Sequence, residues 1–265
     1  MRLVDSHCHL QADRFDDDVN AVLDAARAAG VERILVPGWN GWSSAAAIAL
    51  TDRVPWLDAA VGVHPHDAAT VDDAAWTAIA ASARDPRVVA IGETGLDYDR
   101  VFSPILAQLA NLRRNLELAV ATGKPAILHC RSAAGRRDAQ DALLAELEAF
   151  GANAPAVVIH SFSGPVDYAE EMLARGAAIS ISGLAFRRGE EATADVVRLV
   201  PADRLLVETD SPFLAPPGAP RSRNAPEWVR VTASWVADLR ADEPDAAGEA
   251  LVGAYDRVFG ARARG

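Results

Sequence analysis

Lysine occurs once in the 265 residues, at position 124, and cysteine and methionine only twice each. Two cysteines, Cys8 and Cys130, are too few for the disulfide framework of a small secreted domain, so both read as reduced, buried thiols. Basic charge therefore rests on arginine, and acidic residues outnumber it enough to leave a formal net charge of -11. That balance excludes broad attraction to nucleic acid or anionic membrane, which depends on Lys and Arg neutralising phosphates. Any phosphate recognition has to be local. No apolar run approaches the roughly 18 residues of a membrane span, and the N-terminus lacks the basic and apolar regions of a signal peptide. The chain reads as soluble and cytoplasmic, with no membrane contact and no obligate protein partner evident. Linkers, internal repeats and low-complexity tracts are also missing, so a single domain over residues 1–265 is expected.

What is present is an alternation of short apolar runs with helical patterns. Candidate strands are Arg2 to Asp5, Arg33 to Pro37, Leu57 to Val63, Val88 to Ile91, Ala126 to His129, Ala156 to His160, Ala177 to Ile181 and Leu205 to Glu208. Each is apolar nearly throughout, as suits parallel strands buried on both faces. Between them lie amphipathic patterns at Asp16 to Ala29, Asp72 to Ala83, Ile105 to Thr122, Ala139 to Phe150, Val166 to Arg175 and Glu190 to Leu199, several stopped by glycine. Residues Ala215 to Pro226, rich in Pro, Gly and Arg, read as a long loop, and Asp245 to Ala261 as a closing helix. Eight strands alternating with helices in a chain of this length predict an α/β fold, the (β/α)8 TIM barrel, with a doubly wound sheet as the alternative.

The polar residues fall at the C-terminal ends of those strands. His7 and His9 alternate with Cys8, so on an extended segment the two imidazoles share a face and form half of a metal site. His64 ends the third strand, Glu93 the fourth, His129 the fifth and His160 the sixth, while Glu208 and Asp210 end the eighth. All six histidines of the chain, His66 included, lie at or just beyond a strand end. In a barrel this is one rim, the face that carries active sites. Nitrogen and oxygen donors without thiolate suit zinc, manganese or magnesium.

Six segments carry a family resemblance: Asp5-Ser6-His7-Cys8-His9-Leu10, Gly62-Val63-His64-Pro65-His66, Ile91-Gly92-Glu93-Thr94-Gly95-Leu96-Asp97-Tyr98, Ile127-Leu128-His129-Cys130-Arg131, His160-Ser161-Phe162-Ser163-Gly164 and Glu208-Thr209-Asp210-Ser211-Pro212-Phe213-Leu214. In this order they resemble the TatD family of metal-dependent hydrolases, within the amidohydrolase superfamily. The resemblance implies a (β/α)8 barrel, one or two divalent metal ions, and hydrolysis of phosphodiester bonds at a DNA strand end, often as a 3′ to 5′ exonuclease. Carried over, it implies that His7, His9 and Asp210 hold one metal, His129 and His160 the second, and that Glu93 bridges them. Ser161 stands where the family usually has Cys, and Arg221-Ser222-Arg223-Asn224-Ala225-Pro226 matches only loosely.

Asp210 and Glu93 are accordingly the candidate catalytic residues, with Asp210 the natural proton acceptor. His64 and Arg131 are candidates for substrate contact, since a guanidinium beside a ligand suits a phosphate oxygen. Glu208, two residues before Asp210 and on the same face, is a carboxylate placed either to orient a ligand or to polarise the water. Asp97 and Asp99 read as turn or capping carboxylates, and Ile105 to Thr122 as a packing helix alone. Two other readings keep the same histidines: an amidohydrolase acting on a small amide, lactone or ester, and a noncatalytic metal-binding scaffold. Some amidohydrolases bridge their metals through a carboxylated lysine, and Lys124 precedes the fifth strand, so Glu93 has to serve if bridging occurs.

Overall fold

The structure, a computed structural model, describes residues 1–261; the last four residues of the expected domain lie outside the described residues. Its fold class is the (β/α)8 barrel, with strands in chain order from β1 to β8. By internal packing the chain divides into two compact units, residues 1–36, 161–169 and 178–265 forming one and residues 37–160 and 170–177 the other.

In the first unit, β7 (Ala178–Ile181) pairs in parallel with β8 (Leu205–Val207), placing Ile181 opposite Val207. β1 (Leu3–Asp5) continues that sheet, for Ser6 N–H donates to Val207 O at 3.0 Å and Asp210 N–H to His7 O at 2.9 Å. On its other side β1 pairs with β2 (Val31–Pro37), Asp5 lying opposite Ile34. Leu3, Val4, Ile34, Leu35, Leu206 and Val207 are all buried, as the unbroken apolar runs require. Helix α1 (Val19–Ala28) turns Val22, Leu23 and Ala26 inward and is followed by Gly30 at positive φ. Two further helices, α8 (Val229–Arg240) and α9 (Pro244–Phe259), follow the long loop. Of these only α9 is legible as the closing helix. Gly248 of α9 leaves no room for a side chain, since a Cβ there would stand 2.6 Å from Arg2 O, and that absence lets α9 lie directly against the start of β1.

In the second unit β3 (Leu57–Val61), β4 (Val88–Asp97), β5 (Ala126–Arg131) and β6 (Val157–Ile159) pair in that order, all parallel. β4 is far longer than the Val88 to Ile91 expected, and its register with β5 shifts between Ile91 and Thr94. Gly-Glu-Thr-Gly reads as a turn, yet here it continues the strand through Gly92 and Gly95, both at positive φ. Helix α2 (Gly41–Arg53), not expected from the sequence pattern, is alanine-rich and buries little beyond Ser43, Ser44, Ala47 and Thr51; its start is fixed by a capping box of Asn40 and Ser43. Helices α3 (Asp73–Ser82), α4 (Ile105–Thr122) and α5 (Asp138–Phe150) match their expected spans within a residue or so. α6 (Val166–Ala174) is shared between the units, and α7 (Thr193–Leu199) completes the first.

Gly95 has the least room of the β4 glycines, because a Cβ would overlap the carbonyl oxygen of His129 across the ladder at φ +137°. Gly95→Ala is expected to cost about 3 kcal/mol or more, combining overlap with a disallowed backbone. Gly123→Ala, at φ +66° with open space around it, is expected to cost only about 1–2 kcal/mol. Thermal melts should separate them by several degrees; equal melting temperatures would show that the β4–β5 approach is not tight.

Candidate metal centre

In the first unit, alternation along the segment after β1 directs His7 and His9 to one side, with Cys8 buried on the other. Their Nε2 atoms lie 3.2 Å apart, the rings meet edge to face at 82°, and Asp210 Oδ1 is 3.4 Å from His9 Nε2 and 3.8 Å from His7 Nε2. Asp210 is brought there by a turn at positive φ just beyond β8. The two strand ends are tied by Asp5, a carboxylate of the first motif whose role the sequence pattern does not disclose. It is fully buried and accepts from Thr209 Oγ1 at 2.6 Å, Thr209 N at 2.9 Å and His7 N at 3.2 Å. Burial pushes its pKa up to about 8 in spite of those donors. Glu208 is also fully buried, in the same unit, its backbone N–H bonded to Ile181 O. The Cys8 thiol, pushed well up by burial, is an inert core group beside Ser211.

In the second unit the ligating atoms gather on Glu93. Its Oε1 is 2.9 Å from His160 Nε2, 3.1 Å from His129 Nδ1 and 3.3 Å from His64 Nε2, and the nitrogens of His129 and His160 are 3.3 Å apart. Donor atoms at about 2.0–2.2 Å from one ion, at tetrahedral or octahedral angles, stand about 2.8–3.6 Å from one another. The Glu93, His129 and His160 spacings fit that window, and the His7–His9 and His9–Asp210 spacings fit it in the first unit. The residues therefore suit divalent ions on the chemistry and spacing of their donors.

His64 has a different standing. Its Nδ1 accepts the His66 N–H at 3.1 Å, which places the proton on Nε2 and makes that atom a donor toward Glu93. Burial also lowers its pKa to about 4, so it is neutral. Arg131 is half-exposed and pairs with Asp99 at 2.9 Å.

Asp97, expected to be a turn carboxylate, is that and more. One oxygen accepts the N–H groups of Asp99 and Arg100, at 3.1 and 2.8 Å, while the other lies 2.8 Å from His66 Nε2 and 3.3 Å from His129 Nε2. Burial works against ionisation of Asp97, but the two histidines and the Arg100 N–H outweigh it and hold its pKa well below the usual carboxylate range. On the other partner, burial opposes the charged imidazole, and Asp97 and Glu93 raise the His129 pKa in spite of it. His129 thus offers Nδ1 toward Glu93 and gives Nε2–H to a carboxylate, the arrangement that fixes tautomer and raises basicity in metal-bound histidines. Helix α4, expected to serve packing alone, contributes here as well. Its buried Gln108 accepts Asp97 N–H at 2.8 Å and donates to Asp97 O at 3.0 Å, and Asn111 donates to Val63 O at 2.7 Å, next to His64. Apolar periodicity hid these polar residues, which sit on the inward face of the helix.

Fold and donor set together define a divalent-metal-dependent hydrolase of the barrel class. The chain belongs to the TatD related DNase family, whose model matches residues 4–260. It is 39% identical over 233 residues to the 3'-5' ssDNA/RNA exonuclease TatD of Cronobacter turicensis, covering 86% of each chain. With the metal-dependent hydrolase YabD of Bacillus subtilis it shares 35% identity over 240 residues, 90% of this chain and 91% of that one. The crystal structure of the TatD homolog YJJV from Escherichia coli superposes with a TM-score of 0.89 at 30% identity, covering 98% of this chain and 99% of that chain.

Asp97→Asn keeps the volume and the bonds to Asp99 and Arg100 but removes the charge facing His129. Divalent-ion affinity, measured by competition with a chromogenic chelator, is expected to fall about 10–100-fold. An unchanged affinity would show that Asp97 does not support His129 as a ligand.

Proposed function

We propose that this chain is a nuclease that hydrolyses phosphodiester bonds from the 3′ end of single-stranded DNA or RNA. In this reading His7, His9 and Asp210 would hold one divalent ion and His129 and His160 the second, with Glu93 the carboxylate that would serve both, within a single barrel domain. The observation that carries it is that within each cluster every separation but the 3.8 Å between His7 and Asp210 is 2.9–3.4 Å, as for atoms that share an ion. Four imidazoles and two carboxylates without thiolate favour a transition ion, zinc or manganese, over magnesium. Bound there, such ions make water acidic enough to ionise near neutrality and neutralise charge on the phosphate.

The chain's own residues supply the rest. Asp210, with its carboxylate beside His9 and 14% exposed, accepts the proton of the attacking water. His64, neutral with its single N–H at Nε2 directed at Glu93, keeps that carboxylate in place until a phosphate oxygen takes over the same donor. No covalent nucleophile is needed, as both cysteines are buried. The carboxylated-lysine version of an amidohydrolase site finds no support, because Lys124 Nζ is spent on the carbonyls of Ala83 and Asp85. Among the described residues no helix is long and apolar enough to cross a membrane, and two buried thiols suit the reducing cytoplasm we assign it to.

Chelation should abolish hydrolysis of single-stranded DNA and added zinc or manganese should restore it; full activity in metal-free protein would end this reading. Asp210→Asn, compared at saturating metal, is expected to stay folded and metallated yet lose about 10²–10⁴ in turnover. Turnover within a few fold of the parent would remove Asp210 as proton acceptor and leave Glu208 to be tested.

A further inference from the structure

The loop 215–226, of which residues 221–226 resemble the family pattern only loosely, is firmly tied down within the first unit. Asn224 is fully buried; its side-chain amide donates to Thr209 O at 2.9 Å and Phe213 O at 2.7 Å, and its backbone N–H to Pro212 O at 3.1 Å. Arg223 binds Asp18 through two bonds of 2.7 Å and covers the Phe15 ring at 5.0 Å, while the Arg14 guanidinium holds the Ser222 carbonyl. The opposite flank is equally close, for Gly183 has no side chain where the Leu214 carbonyl passes.

The loop encloses a cavity of about 680 Å³ whose walls include Arg14, Arg187, Arg221, Phe186 and Phe213, with no carboxylate among the described lining residues. Arg187 and Arg221 are exposed, and among the described residues neither guanidinium has a carboxylate partner. In a chain of net charge -11, three arginines lining one cavity form a local field of the opposite sign. Phe213 is 53% exposed, its ring 6.2 Å from that of His9, and its N–H closes a turn onto Asp210 O at 2.9 Å. The cavity therefore opens beside the ligands of the first unit and offers an aromatic face there.

We propose that this groove seats the single strand next to the scissile phosphodiester, with Arg187 and Arg221 on backbone phosphates and Phe213 stacked under a base. The proposal rests on the nuclease reading above. Phosphates and a base face are what guanidinium groups and an exposed ring recognise together, and stacking of this kind tolerates any sequence because every base has a π-face. The groove also accounts for how an acidic protein captures a polyanion, since the missing general attraction is replaced by a local one.

The test compares the parent with R187A/R221A and F213A, each confirmed by melting temperature and metal content, on a ten-nucleotide single strand across a salt series. R187A/R221A is expected to raise KM at least about tenfold and to flatten the log KM against log salt dependence by about 1.4, roughly 0.7 for each phosphate no longer neutralised. F213A is expected to raise KM by about tenfold without changing the salt dependence. Parent turnover of bis(4-nitrophenyl) phosphate, which carries a single phosphate and no base, tests the phosphodiesterase reading by itself. If the parent hydrolyses neither this ester nor DNA, that reading falls and the groove falls with it. If the parent degrades DNA and all variants keep its KM and salt dependence, the groove is overturned while the reading of the metal centre stands.

Discussion

A carboxylate only 3% exposed, with three imidazole nitrogens within 3.3 Å of one of its oxygens, is the constraint on which the second unit depends. Burying Glu93 as an ion is costly unless positive charge meets it, and neutral imidazoles meet it only through their protons. Divalent cations would resolve the conflict, because they would take unprotonated nitrogens and the carboxylate at once. The surrounding architecture holds that arrangement in place. β4 runs on past the usual strand length so that Glu93 and Asp97 both project from one rigid element. Gly95 makes this workable by letting the backbone of His129 come close without a Cβ in the way. Asp97 then fixes the far side of the His129 ring, and Gln108 of α4 fixes Asp97.

The first unit solves a related problem with different means. Asp210 stands beside His7 and His9, yet it comes from the other end of the chain's barrel strands. Asp5 and Thr209 make the connection, one fully buried and the other nearly so, by two bonds between the ends of β1 and β8, while Asp5 also accepts the His7 N–H of its own segment. A buried carboxyl with its pKa pushed up to about 8 is costly to stability, and its position between the segments that carry His7 and Asp210 explains its use.

Most strand starts and most of the helices could be read in the amino-acid order, because strands buried on both faces are continuous apolar runs, and the histidines that gather around Asp210 and Glu93 stand out at their ends. The extension of β4 could not, since Gly92 and Gly95 are turn residues by propensity and strand residues only through what packs against them. Helix α2 escaped for lack of a strong stripe, as its alanine-rich surface buries few large side chains, and α8, despite its buried stripe, for lack of a glycine stop, since Ala241 takes the left-handed position at its end. Asp97 illustrates the limit best. Its capping bonds to Asp99 and Arg100 follow from local sequence, whereas its contacts to His66 and His129 join residues 31 and 32 positions away. Long-range partners of a polar residue leave no periodic trace.

Anomalous diffraction from a zinc- or manganese-loaded crystal, recorded at the absorption edge of the ion, tests the two-ion arrangement most directly. One peak coordinated by His7, His9 and Asp210 is expected, and a second by His129 and His160, with the Glu93 carboxylate touching both. Absence of a peak at both clusters under loading conditions that support DNA hydrolysis would contradict that arrangement.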